Sequence, residues 1–206
     1  DARTGIRSTA DVPLVEALAP TDAYDLIVVT VRKNQVADAL PILAANKATP
    51  DVLFLGNNAA GPDAYAAALG RERVLFGFMA VGGMREGHIV RYTGGAQRIR
   101  LIVGELSGQV TPRLREIVDA FADGGIDVEI SSAIDAWLKT HAALVLPMAG
   151  AVYAAGGDIY RTARTRDAIV LAVRATREGF RALRALGLPL IPAVVQVYRW
   201  LPEPLL

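Results

Sequence analysis

From Tyr24 to Val31 the chain reads YDLIVVTV, an apolar, β-branched stretch set between the turn-like APTD and the polar RKNQ. A continuous run without polar alternation predicts a strand buried on both faces, as in a parallel sheet. QVADALPILAANK follows. Its Val36, Leu40, Leu43 and Ala44 share one helical face, and Pro41 is expected to kink or shorten the helix. DVLFLGNNAAG, Asp51 to Gly61, repeats the order of a short apolar strand and a turn of small residues. Gly61-Pro62-Asp63 then opens a second helix, with proline where its missing N–H costs little, and Gly70 can end it. Strand, helix, strand, turn, helix is an α/β signature.

After Arg71 the period changes. VLFGFMAV, HIVRY and RIRLIVG predict three strands joined by the Gly-rich turns GGMREG and TGGAQ, close enough in sequence to pair antiparallel. Thr111-Pro112 starts a helix whose Leu114, Ile117, Val118 and Phe121 recur at helical spacing, and IDVEIS predicts one more strand. From Ala133 onward the pattern is all-helical. One helix carries Trp137, Lys139 and the run ALVLPMAGAV. Another, from Thr165 to Leu186, turns Ile169, Val173, Phe180 and Leu183 inward and stops at Gly187. The proline-punctuated tail PLIPAVVQVYRWLPEPLL is too apolar to hang in water, and is expected to pack on this core or on a missing segment. The boundary between the α/β part and the helical part is expected near Ser131.

Composition narrows the function classes. With 206 residues, 52% of them hydrophobic, the chain can bury a sizeable core. A formal charge of +1, from 22 basic and 21 acidic residues, offers no bulk attraction for nucleic acid. The local cluster Arg161, Arg164 and Arg166 reads first as a solvated helix face. The absence of cysteine excludes disulfides, thiolate catalysis and cysteine-ligated metal, and fits a cytoplasmic protein. His88 and His141 lie too far apart in sequence to form a metal-spaced pair, so no metal is expected. The apolar run Ala142 to Ala155 is shorter than the roughly 20 residues a bilayer requires, and Pro147 interrupts it; no membrane partner is expected. The opening DARTG has no signal-peptide pattern and no initiating methionine, so an internal piece of a longer protein is expected.

Two turns attract chemistry. VRKNQ and GNNAAG each follow a predicted sheet strand, and open α/β sheets bind ligands beyond the carboxyl ends of their strands. If the two strands are neighbours, Arg32, Lys33, Asn57 and Asn58 converge; the cations suit a phosphate and asparagine offers both donor and acceptor. Ordinary turn composition is the alternative explanation. The dinucleotide fingerprint G-x-G-x-x-G is absent from the chain. Lys139, at the head of an apolar run, has two readings. Asp135 lies four residues earlier, so a surface i,i+4 pair is available. Alternatively, a lysine partly withdrawn from water can protonate an oxygen on which negative charge develops, as reduction of a ketone requires.

Taken in order, DLIVVTVRKNQVADALPILA, VLFLGNNAAG, VLFGFMAVGGMREGHIVRY and DAWLKTHAALVLP resemble the ketopantoate reductase (2-dehydropantoate 2-reductase) family over Tyr24 to Leu190. The resemblance implies a partial Rossmann-like cofactor-binding domain over residues 1–130, its N-terminal Gly-rich βαβ unit lying before Asp1. It implies an incomplete helical substrate and dimerisation domain over residues 131–206. It implies an NADP-dependent reductase of a 2-keto acid or related small carbonyl compound. A homodimer formed through the helical part is expected on a separate ground, the apolar tail that lacks a cover of its own. Carried over by motif, Arg32 and Gln35 would lie near the cofactor. Asn57, with Asn58 beside it, would face the nicotinamide and the substrate, and Lys139 would be the catalytic lysine. The family's two substrate-binding asparagines, four and eight residues after that lysine, are Ala143 and Pro147 here. Its late serine and glutamate would fall beyond Leu206. A small or more apolar carbonyl substrate is therefore expected in place of ketopantoate. The competing reading is a non-catalytic scaffold or binding relative of the same family.

Overall fold

The computed structural model describes residues 1–2, 4–5, 7–94 and 99–199. The chain divides into two compact units. The first holds Asp1–Gly56 and Pro62–Ile134; the second holds Asn57–Gly61 and the chain from Asp135 onward.

The first unit is built on a mixed sheet. The β-branched run gives strand β1, Ile27–Val29, and a 3-10 turn at Lys33–Gln35 leads into helix α1, Val36–Ala45. Pro41 stands inside α1 without ending it. β2, Val52–Leu55, is followed by α2, Asp63–Leu69, which Gly70 closes with its N–H bonded to the Ala66 carbonyl. β3, Val74–Glu86, is the longest strand, and β4, Ile89–Gly94, and β5, Arg100–Glu105, come next. GGMREG is thus largely strand rather than turn; the chain reverses only at Gly87-His88. Gly95, Ala96 and Gln97 of the TGGAQ segment lie outside the described residues. Thr111 caps α3, Pro112–Asp123, by accepting from the Leu114 N–H at 3.3 Å, and β6 follows at Asp127–Ile130.

The strands are ordered β1-β2-β3-β5-β6. β1, β2 and β3 run parallel, β5 is antiparallel to β3, and β6 is parallel to β5. Besides β2, β3 has two antiparallel partners along its length. Its first half pairs with β5, and its second half, Val81 to Glu86, pairs with β4 as a hairpin. Leu53, Leu75, Leu101 and Val103 from the central strands meet Leu114 and Ile117 of α3 in the core. A T-shaped cluster of Phe54, Tyr65 and Phe76 packs where α2 crosses β2 and β3.

Among its described residues, the second unit contains helices and connecting turns, the Asn57–Gly61 turn among them, and no strand. α4, Ile134–Ala154, begins one residue before the division and carries Pro147 internally. α5, Ile159–Arg164, is a short helix absent from the sequence expectation. Asp158 caps it, accepting from the N–H groups of Tyr160 at 2.8 Å and Arg161 at 3.0 Å. α6 spans Arg166–Ala185, and a 3-10 segment covers Ala193–Arg199. Phe180, Leu190 and Val195 form the core of this unit. Among the described residues, no helix is long and apolar enough to cross a membrane.

Candidate functional site

Asp135 lies in the first turn of α4 and Lys139 one turn later, so helical geometry puts both side chains on one face. Lys139 Nζ donates to Asp135 Oδ2 at 2.5 Å. The pair is not the freely solvated one that spacing alone would suggest: the side chains are 18% and 30% exposed. The space beside the amine is bounded by Gly61. A Cβ at that position would stand 3.3 Å from Lys139 Nζ and 3.7 Å from Asp135 Oδ1. Gly61 has φ +88°, a region that L side chains rarely adopt, so both conformation and space favour glycine there.

The turn that carries Gly61 is held by Asn58. That side chain is buried; its Nδ2 donates to the Gly61 carbonyl at 3.0 Å, and its Oδ1 accepts from the Ala60 N–H at 3.1 Å. Asn58 is therefore engaged inside the turn, whereas its neighbour Asn57 is exposed. Among the described residues, Asp135 Oδ1 is buried without a hydrogen-bond partner. The second unit thus brings together Lys139, Asp135 and the Asn57–Gly61 turn: an ammonium donor, its carboxylate partner and an accessible amide.

The other predicted residues belong to the first unit. β1 and β2 are parallel neighbours, with Val29 opposite Phe54. Arg32 is exposed, and its backbone N–H donates to Gln35 Oε1 at 3.0 Å, which makes Gln35 a local brace for the 3-10 turn. Lys33 Nζ lies 4.7 Å from the Tyr65 ring centroid and donates to its hydroxyl at 3.1 Å. Arg32 and Lys33 beyond a parallel strand have the donor chemistry of a phosphate site, so they fit one anionic part of a dinucleotide. The Gly-rich turn that cradles a pyrophosphate is not among this chain's residues.

The rest of α4 is mostly apolar, partly buried and partly exposed at Leu146, Met148 and Tyr153. Trp137 stacks on His141, with ring centroids 5.2 Å apart and planes inclined by 9°. Burial holds the His141 imidazole below its usual range. Ala143 faces α6: a Cβ on Gly179 would come within 3.0 Å of the Ala143 Cβ. Leu144 and Met148 line an apolar cavity of about 400 Å³ together with Ile169, Val173, Val197 and Tyr198. At about 100° per residue, those two positions lie roughly 140° or more around α4 from Lys139, so this cavity is not the space beside the amine. Arg161, Arg164 and Arg166 are all exposed.

Sequence reasoning missed Gly61 as the residue against the amine. Gly61-Pro62 reads as a helix opening, and only the fold reveals its second use. It also missed the Glu105–Arg113–Asp51 cluster of the first unit. Arg113 Nε donates to Glu105 Oε1 at 2.7 Å and its Nη1 to Asp51 Oδ1 at 2.6 Å, while Thr111 also donates to Glu105. Burial on its own would raise the Glu105 carboxyl, but the hydrogen bonds from Arg113 and Thr111 and the Arg113 charge outweigh it and hold the group below the usual range.

A sheet with three neighbouring parallel strands, flanked by helices and followed by a helical segment, defines an α/β protein of the Rossmann-like class with a helical region appended. The family model described as Ketopantoate reductase PanE/ApbA matches residues 3–108, just over half of the chain, and the chain belongs to that family. The matched segment contains Arg32, Gln35, Asn57 and Asn58 and ends before Lys139.

Solved structures agree on the fold. The chain resembles 2-dehydropantoate 2-reductase from Porphyromonas gingivalis W83 at 15% identity and a TM-score of 0.70, covering 88% of this chain and 63% of that one. The corresponding enzyme from Methylococcus capsulatus is similar at 20% identity and a TM-score of 0.65, over 88% and 59%. D-mandelate dehydrogenase in complex with NADH is similar at 18% identity and a TM-score of 0.72, over 89% and 61%. The chain therefore spans about three fifths of the length of these structures. No curated protein matches it at the significance these structures reach.

Proposed function

We propose that the protein is an NADPH-dependent reductase of a 2-keto acid or related small carbonyl compound. The observation that carries this reading is the placement of the Lys139 amine: largely shielded, paired with Asp135 and set against the Asn57–Gly61 turn. An ammonium held in this way can donate its proton to a carbonyl oxygen as negative charge develops there, and then recover a proton from solvent. NADPH supplies the hydride that the carbonyl carbon accepts. Arg32 would hold an anionic part of that cofactor, and Gln35 keeps the Arg32 turn in shape. Asn57 would orient the nicotinamide and the carbonyl, while Asn58 keeps the turn in its conformation.

The proposed substrate is smaller or more apolar than ketopantoate. Position 143, where the family has an asparagine, is an alanine packed toward Gly179 and the Phe180 core, so it offers no hydrogen bond to a substrate. The cytoplasm is the compartment proposed, from the absence of cysteine.

The test uses the full-length protein, titrated with NADPH by fluorescence and then assayed against a panel of 2-keto acids and apolar ketones. Lys139→Ala should leave NADPH affinity nearly unchanged and lower kcat by about two to four orders of magnitude. Failure to bind NADPH at millimolar concentration would remove the reductase reading and leave a non-catalytic relative. Wild-type turnover in Lys139→Ala would remove the role given to the lysine.

A further inference from the structure

Lysine has a long, flexible stem, and a proton donor acts efficiently only when its nitrogen is held in a narrow range of positions. Two restraints on the Lys139 amine are visible. Asp135 Oδ2 accepts its hydrogen bond at 2.5 Å, and Gly61 bounds it from the turn. We infer that Asp135 is a positioning residue for Lys139, fixing the amine against the Asn57–Gly61 turn; the inference rests on the reductase reading.

Three observations separate this from an ordinary stabilising pair on a helix surface. The first is exposure. In α6 the pair Arg181–Glu178 is loose at 3.8 Å, with both side chains 71% exposed, whereas the Lys139–Asp135 side chains are 18% and 30% exposed. The second is a buried oxygen without reward. Asp135 Oδ1 is buried and has no hydrogen-bond partner among the described residues, an arrangement that a pair placed for stability alone would avoid. The third is the site's own geometry. Gly61, whose missing side chain leaves room for the amine, is also the residue whose added Cβ would stand 3.7 Å from that unpaired oxygen. The carboxylate sits in the first turn of α4, where the helix dipole favours an anion, so it is a fixed anchor for a mobile cation.

The experiment is a double-mutant cycle on the full-length protein, with thermal unfolding and NADPH affinity measured for every variant. Asp135→Asn should lower kcat by about tenfold or more while changing NADPH affinity by less than twofold, and Asp135→Glu should restore part of the loss. In the Lys139→Ala background, Asp135→Asn should cost less than about twofold further, because the residue it positions is gone. A merely structural role would instead multiply the two losses.

A second readout needs no turnover. Under limiting acetic anhydride, peptide mass spectrometry compares acylation of Lys139 with that of Lys47 in the same molecule. Asp135→Asn should raise the Lys139 rate about threefold or more by releasing the amine. Wild-type kcat in Asp135→Asn, alongside a large loss in Lys139→Ala, would overturn the positioning role and leave the reductase reading standing. Wild-type turnover in Lys139→Ala would overturn both.

Discussion

At the scale of single residues, Glu105 shows how a buried charge is tolerated. It is only 4% exposed, yet Arg113 and Thr111 hold it ionised. Because its pKa is lowered on folding, its contribution to stability is complete above the ordinary carboxyl value of 4.5 and is lost as pH falls through the lower folded value. Unfolding curves recorded from neutral pH to below 4.5 should therefore show a loss of stability in acid. Glu105→Gln should flatten that loss. Glu105→Ala should cost about 1–3 kcal/mol at neutral pH, because the half-buried Arg113 would keep only Asp51 as its ionic partner. An unchanged acid limb in Glu105→Gln would assign the pH dependence to other groups. Part of this was legible: Thr111-Pro112 announced a helix start. That Arg113 should also reach Asp51, 62 positions away, was not.

At the scale of elements, the apolar runs predicted strands at β1, β2, β3, β5 and β6, because a run of branched residues has few ways to hide from water except inside a sheet. Partner choice was less visible. GGMREG read as a turn because glycine is common in turns, yet β3 extends through it and pairs with β4. Gly104 in β5 marks another fact of packing: a Cβ there would lie 2.3 Å from the Ser131 carbonyl oxygen and 3.0 Å from the Ile134 Cβ. Backbone cannot yield as a flexible side chain can. Gly104→Ala should therefore destabilise the protein by about 1–3 kcal/mol in urea unfolding, although alanine is the better residue for an unencumbered strand. A neutral result would mean that the segment between β6 and α4 shifts without cost. α5 was missed because six residues carry too little period to register, and only its Asp158 cap gave a signal.

At the scale of the whole molecule, each unit has a core of its own, one around Leu53 and Leu75 and the other around Phe180 and Leu190. The homodimer expected from the apolar tail belongs here as a proposal. In the second unit Leu146, Tyr153, Leu171 and Val194 are exposed apolar side chains, and self-association through the helical part would cover such a surface. Sedimentation velocity of the full-length protein should give a mass twice that of the chain. A concentration-independent monomer would set that partner aside.

By itself the sequence determined the α/β class, the order of most strands and helices, and that Asp135 stands within reach of Lys139. These depend on period and on neighbours within one helical turn, which a linear chain displays directly. The tertiary structure decided what surrounds that pair. Gly61 and Lys139 are 78 positions apart, and nothing in their spacing says that one leaves room for the other. It also decided that Asn58 is spent inside its own turn while Asn57 stays exposed, and that position 143 faces Gly179. Contacts between distant segments follow from how buried surfaces close on one another, and that closure is a property of the packed chain rather than of any stretch of it.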